Sequence, residues 1–166
     1  HYIDMMQWLI NAPAVSVYAK MDTQVHDIEV ETHGSAVLKF SNGVIGSLNL
    51  SSLNYPEDTE GSITILGEKG TVKVGGKSMN EVLEWKFAES DPDDGQAGNS
   101  SFTPPTVYGF GHQDFYKKVA DFLLKRENGK DIIDGREGRK SVELLEALYR
   151  SNETSQEILL PLDAKM

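Results

Sequence analysis

His1 and Asp4 stand three residues apart at the head of an apolar-periodic segment, so on a helix they share one side of the first turn. An imidazole titrates near neutrality and can take or give a proton, and a carboxylate beside it can accept hydrogen bonds from substrate hydroxyls. The same spacing is also that of an ordinary solvated pair, which is its commoner use. A second group, Tyr108, His112 and Tyr116, surrounds the start of a later helix, where main-chain N–H groups without helical partners can meet an anionic or sugar ligand. Its plainer reading is that Tyr108 packs, His112 sits near the helix cap and Tyr116 is half buried. Trp8 and Trp85 read as core residues rather than stacking platforms.

Other chemistries lack their residues. The stretch GFGHQD begins like a dinucleotide-binding glycine motif but carries Asp114 at the third glycine position, follows Pro104-Pro105 instead of a buried strand, and has no βαβ frame. These residues therefore predict no cofactor-binding site of their own. The four histidines, at 1, 26, 33 and 112, have no metal-site spacing and the chain has no cysteine, so no metal site is predicted. No G-x-S-x-G elbow supports a hydrolase. A net charge of −10 repels phosphate backbones and anionic membranes, which argues against nucleic-acid and membrane partners. The absence of cysteine and of any long apolar run predicts a soluble domain in a reducing compartment, with cytoplasm as the expected location.

Positioning His1 and Asp4 falls to a helix over residues 1–10, whose Ile3, Met5, Met6, Trp8, Leu9 and Ile10 predict burial of much of its surface, with a stop at Asn11 and Pro13. That helical pattern is already running at residue 1 without a cap, so the reading at this point is either a short protein with a ragged start or the back half of something larger. Ala14–Lys20 reads as a strand, and the alternation from Val25 to Thr32 predicts an edge or outer strand with Ile28, Val30 and Thr32 on one face. SAVLKFSNGVIGSLNLSS predicts a hairpin turning at Asn42-Gly43, and GSITILGEKGTVKVGG a second one at 67–70. EVLEWKFA adds a strand, and the Pro-, Gly- and Asp-rich stretch from Ser90 to Pro105 predicts a mobile surface loop.

The last third changes period. Phe115, Val119, Phe122 and Leu123 form one helical stripe ahead of Gly129. Val142, Leu145, Leu148 and Tyr149 form another on a helix from about Arg136, and EILLPL closes the sheet. The expected fold is α+β: an open, mainly antiparallel sheet with helices on one face, all of 1–166 being one domain. An exposed sheet face carrying apolar residues such as Leu48 and Leu50 would suit association of subunits.

Four segments together, HYIDMMQWLINAPAVSVYA, ETHGSAVLKFSNGVIGSLNLS, ITILGEKGTVKV and the stretch from GHQDFYKK to EILLPL, resemble the C-terminal domain of the Gfo/Idh/MocA family of NAD(P)-dependent oxidoreductases. The resemblance implies a preceding Rossmann domain that is absent from this chain and binds most of the NAD or NADP. It implies a sheet domain serving substrate binding and oligomerisation, and a sugar, inositol or sugar-nucleotide substrate. HYIDMMQWL looks like the second half of the family's D-x-x-x-H-x-x-D segment, which makes His1 the proton relay and Asp4 a substrate-hydroxyl ligand, with Tyr108 and His112 as further substrate-binding candidates. YGFGHQDFYKK is similar to members acting on nucleotide-activated uronic acids, such as UDP-N-acetylglucosaminuronate 3-dehydrogenases. The resemblance further implies a homo-oligomer and a fragment inactive by itself. The alternative is a non-catalytic binding or oligomerisation module of the same fold.

Overall fold

In chain order the elements are α1 (Tyr2–Ile10), β1 (Ala14–Asp22), β2 (His33–Phe40), β3 (Ile45–Ser51), β4 (Ile63–Gly67), β5 (Gly70–Gly75), β6 (Glu81–Phe87), α2 (Asp94–Ala97), α3 (Gly111–Leu123), α4 (Gly135–Thr154) and β7 (Ile158–Leu159). The computed structural model describes residues 1–56, 61–76, 79–97, 101, 111–126, 128–129 and 132–163. The chain divides into two compact units, one of His1–Leu53 with Ile133–Met166 and one of Asn54–Ile132.

The first unit is built on a four-stranded antiparallel sheet in the order β3-β2-β1-β7. Alternation decides its two faces. Val17, Ala19, Ala36, Leu38 and Phe40 point to one side and are buried with Leu144, Ala147 and Leu148 of α4, and Ile3, Met6 and Ile10 of α1 pack on the same cluster. Both helices thus lie on one face, as the periodicities predict. Gly46 of β3 is what lets α1 approach, since a Cβ there would fall 2.7 Å from the Met6 methyl. The helix ends where expected: Asn11 adopts the left-handed conformation (φ 51°) and donates its N–H to the Gln7 and Trp8 carbonyls. The β2–β3 turn also follows the local code, with Gly43 at φ 89° donating to the Phe40 carbonyl.

The second unit holds the sheet β4-β5-β6, again antiparallel throughout, with the β4–β5 hairpin turning between the paired Gly67 and Gly70. The described strands therefore form two open sheets where the periodicity alone suggested one.

Several expectations are corrected. Residues 23–32 are not a strand but the connection between β1 and β2, whose last pair is Asp22 with His33. Their polar groups close a loop instead of a ladder: Thr23 Oγ1 donates to the Val30 carbonyl, and the Gln24 N–H donates to Thr32 Oγ1. β1 already has β2 and β7 as neighbours, so the alternating segment has no vacant edge of that strand to join.

The buried stripe of α4 is Leu144, Ala147, Leu148 and Ser151, whereas Val142 is 64 % exposed and Leu145 and Tyr149 lie at its border. Small Ala147 and Ser151 let the helix sit close on β1, where the Ala19 N–H donates to Ser151 Oγ. No residue of α1 or α3 is fully buried, and Leu123 is exposed. Leu48 and Leu50 turn toward the helices, because they share the face of Ala36 and Gly34 across the ladder. The opposite face carries the exposed Tyr18, Val37, Ile45 and Leu159 instead. Within the stretch expected to be a mobile loop, α2 is ordered by Asp94, which accepts from the Asp91 N–H and from Trp85 Nε1; residues 98–100 and 102–105 lie outside the described residues.

Candidate functional site

Apolar contacts of Ile3, Met6 and Ile10 pin α1 by one side, which leaves the opposite side of its first turn to present polar groups. His1 is the N-cap residue. Its carbonyl accepts the Met5 N–H at 2.9 Å, while its side chain makes no capping bond and is exposed. Asp4 is in the first turn, where a carboxylate is favoured by the positive end of the helix dipole. It is exposed, and its Oδ1 accepts a hydrogen bond from Ser141 Oγ of α4 at 2.9 Å. The fold thus keeps His1 and Asp4 on one turn and joins Asp4 to a residue 137 positions away. Spacing rules cannot find such a partner, because nothing local in the sequence marks Ser141.

His112 stands at the second position of α3 in the other unit and is exposed, with Asp114 beside it in the first turn. Tyr108 lies outside the described residues. Tyr116 is 66 % exposed, its ring edge-on to Phe115 at 5.8 Å, so it is not half buried. The tryptophans also depart from expectation. Trp8 is 75 % exposed because it occupies the side of α1 away from Ile3, Met6 and Ile10. Trp85 is 43 % exposed, with its indole N–H held by Asp94.

A small apolar cavity of about 60 Å³ lies in the first unit among Ile3, Met21, Leu48, Leu50, Leu145 and Tyr149. Its size and lining suit packing, not a polar ligand, and neither His1 nor Asp4 borders it. At its edge Tyr149 donates to both carboxylate oxygens of Glu31, at 3.0 and 2.9 Å, which raises the phenol's pKa above its ordinary 10.0.

A dinucleotide needs a strand, a glycine turn and a helix N-terminus around its pyrophosphate, in a parallel βαβ frame. Every ladder described is antiparallel, and Gly111 opens α3 without a preceding described strand of that kind. The described residues do not build a cradle for such a cofactor. Among them no group of three or more His, Asp or Glu side chains could hold a metal ion, and no helix is long and apolar enough to cross a membrane.

Residues 1–160 match the family model described as the oxidoreductase family, C-terminal alpha/beta domain. A comparison with curated proteins finds no match. Among solved structures, the WlbA dehydrogenase from Bordetella pertussis, in complex with NADH and UDP-GlcNAcA, is 47% identical with a TM-score of 0.88; the match covers 98% of this chain and 46% of that one. The corresponding enzyme from Chromobacterium violaceum, in complex with the same two ligands, is 42% identical with a TM-score of 0.87, covering 98% and 44%. A levoglucosan dehydrogenase in complex with NADH and levoglucosan shares the fold at 15% identity, with a TM-score of 0.71 and coverage of 96% and 48%. The chain thus spans about half the length of the structures it matches.

Proposed function

The chain belongs to the C-terminal α/β domain family of the oxidoreductases, and from that premise we propose that it is the substrate-side domain of an NAD(P)-dependent dehydrogenase that oxidises a nucleotide-activated uronic acid. The observation that carries this reading is the 47% identity, over 98% of the chain, to a dehydrogenase bound to NADH and UDP-GlcNAcA.

In this reading the reaction removes hydride from a carbinol carbon and a proton from its hydroxyl, leaving a ketone. Hydride acceptance is the chemistry that the nicotinamide supplies when bound, in this reading mainly by a preceding domain. This chain supplies the other half. His1 takes the hydroxyl proton at an imidazole nitrogen; its exposure at the N-cap of α1 leaves the ring open to a substrate. Asp4 accepts a hydrogen bond from a neighbouring hydroxyl and so fixes which carbon faces the cofactor. Tyr108 and His112 remain proposed contacts to the substrate. Two further parts of the reading are a cytoplasmic location and self-association through the sheet face that exposes Tyr18, Val37, Ile45 and Leu159.

The test uses the intact protein that carries this domain, with NAD or NADP and, in turn, UDP-N-acetylglucosaminuronate, UDP-N-acetylglucosamine, free glucuronate and an inositol. Reduced cofactor should form fastest with the nucleotide-linked uronate. Turnover of the inositol or free sugar alone would overturn the substrate class. No reduced cofactor with any of them would overturn the dehydrogenase reading in favour of a non-catalytic module.

A further inference from the structure

We propose that Ser141 is a positioning residue for Asp4, setting the direction in which its carboxylate meets the substrate; this rests on the reading of Asp4 as a hydroxyl ligand. The geometry is specific. Ser141 Oγ reaches Asp4 Oδ1 at 2.9 Å from a different helix. Ser141 precedes Leu144 by three residues and Leu148 by seven, so it continues the stripe by which α4 is anchored to β1, and it is itself partly buried. On the other side, Ile3 and Met6 flank the turn that carries Asp4 and pack on the same core. Both ends of the hydrogen bond therefore stand on anchored elements, the arrangement that holds a binding group to a narrow range of directions.

The bond also divides the carboxylate. With Oδ1 engaged, Oδ2 accepts no hydrogen bond among the described residues and is available to a substrate hydroxyl. An ionised carboxylate has lone pairs for both interactions at once. Without the serine, an exposed aspartate explores several rotamers, and fixing one of them must come out of the substrate's binding energy.

The experiment measures steady-state kinetics of the intact protein on UDP-N-acetylglucosaminuronate, comparing Ser141→Ala, Ser141→Thr and Asp4→Asn. Ser141→Ala should raise KM for the sugar nucleotide about ten-fold, with kcat and the KM for the dinucleotide within about two-fold, and Ser141→Thr, which keeps the hydroxyl, should restore most of the loss. An unchanged KM in Ser141→Ala beside a raised KM in Asp4→Asn overturns the positioning role and leaves the reading of Asp4 standing. If neither variant moves KM, that reading fails and the proposal with it. A fall in melting temperature with equal losses for both substrates and no rescue by threonine identifies a structural clamp and also overturns it. Should Ser141→Ala fail to fold, Ser141→Cys, a weaker donor of similar size, serves in its place with the same expected direction.

Discussion

A general base must reach the hydroxyl it deprotonates, and His1, exposed at the N-cap of α1, makes no capping bond that would occupy its ring. On the proposed reading, His1→Gln in the intact protein should lower kcat by roughly 10²–10⁴-fold with little change in KM. A loss smaller than about ten-fold would remove His1 from the relay. Asp94 offers a test of the residue scale that is independent of function. The Asp91 N–H and the Trp85 indole, in that order of effect, hold its carboxyl below the ordinary 3.8. A depressed carboxylate pKa contributes stability that is present above the unfolded value and lost as pH falls through the folded one. The Trp85 indole N–H resonance should therefore titrate with a midpoint below 3.8, and Asp94→Asn should abolish that transition. A midpoint at or above 3.8 would refute the bond as drawn.

Elements were legible where their signals are local. The stop of α1 at Asn11, the Asn42-Gly43 turn and the β4–β5 hairpin follow from residues that tolerate particular backbone angles, a property that needs no tertiary partner. The phase of α4 was not legible in the same way. Hydrophobicity marks Val142, Leu145 and Tyr149, but close contact with β1 selects the small Ala147 and Ser151, which no apolar count rewards. Leu144→Ala should accordingly cost about 2–5 kcal/mol by leaving a cavity, and Val142→Ala less than about 0.5 kcal/mol, both measured by denaturant unfolding. The reverse ranking would return the helix to the phase that its apolar residues suggest. The 23–32 segment shows the complementary error: alternation makes a strand possible, and an available edge makes it real.

For the molecule as a whole, the net charge of −10 is a repulsion that any assembly of several copies must overcome. The proposed self-association depends on a face assembled from four strands, β3, β2, β1 and β7. Ile45, 71 % exposed, and Val37, 53 % exposed, lie on it beside Tyr18. Ile45→Lys with Val37→Glu should convert the assembled protein to smaller species by light scattering without unfolding it; an unchanged mass would place the interface elsewhere. Composition and periodicity by themselves determined the α+β class, the hairpins, the helices α1, α3 and α4 and the shared turn of His1 and Asp4, since each depends on neighbours within a few residues. Only the tertiary structure decided which sheet face meets the helices, which side of α4 is buried, that Trp8 faces out, and that Ser141 meets Asp4. Those outcomes depend on which segments far apart in the chain are pressed together, and a one-dimensional pattern of side chains does not carry that information.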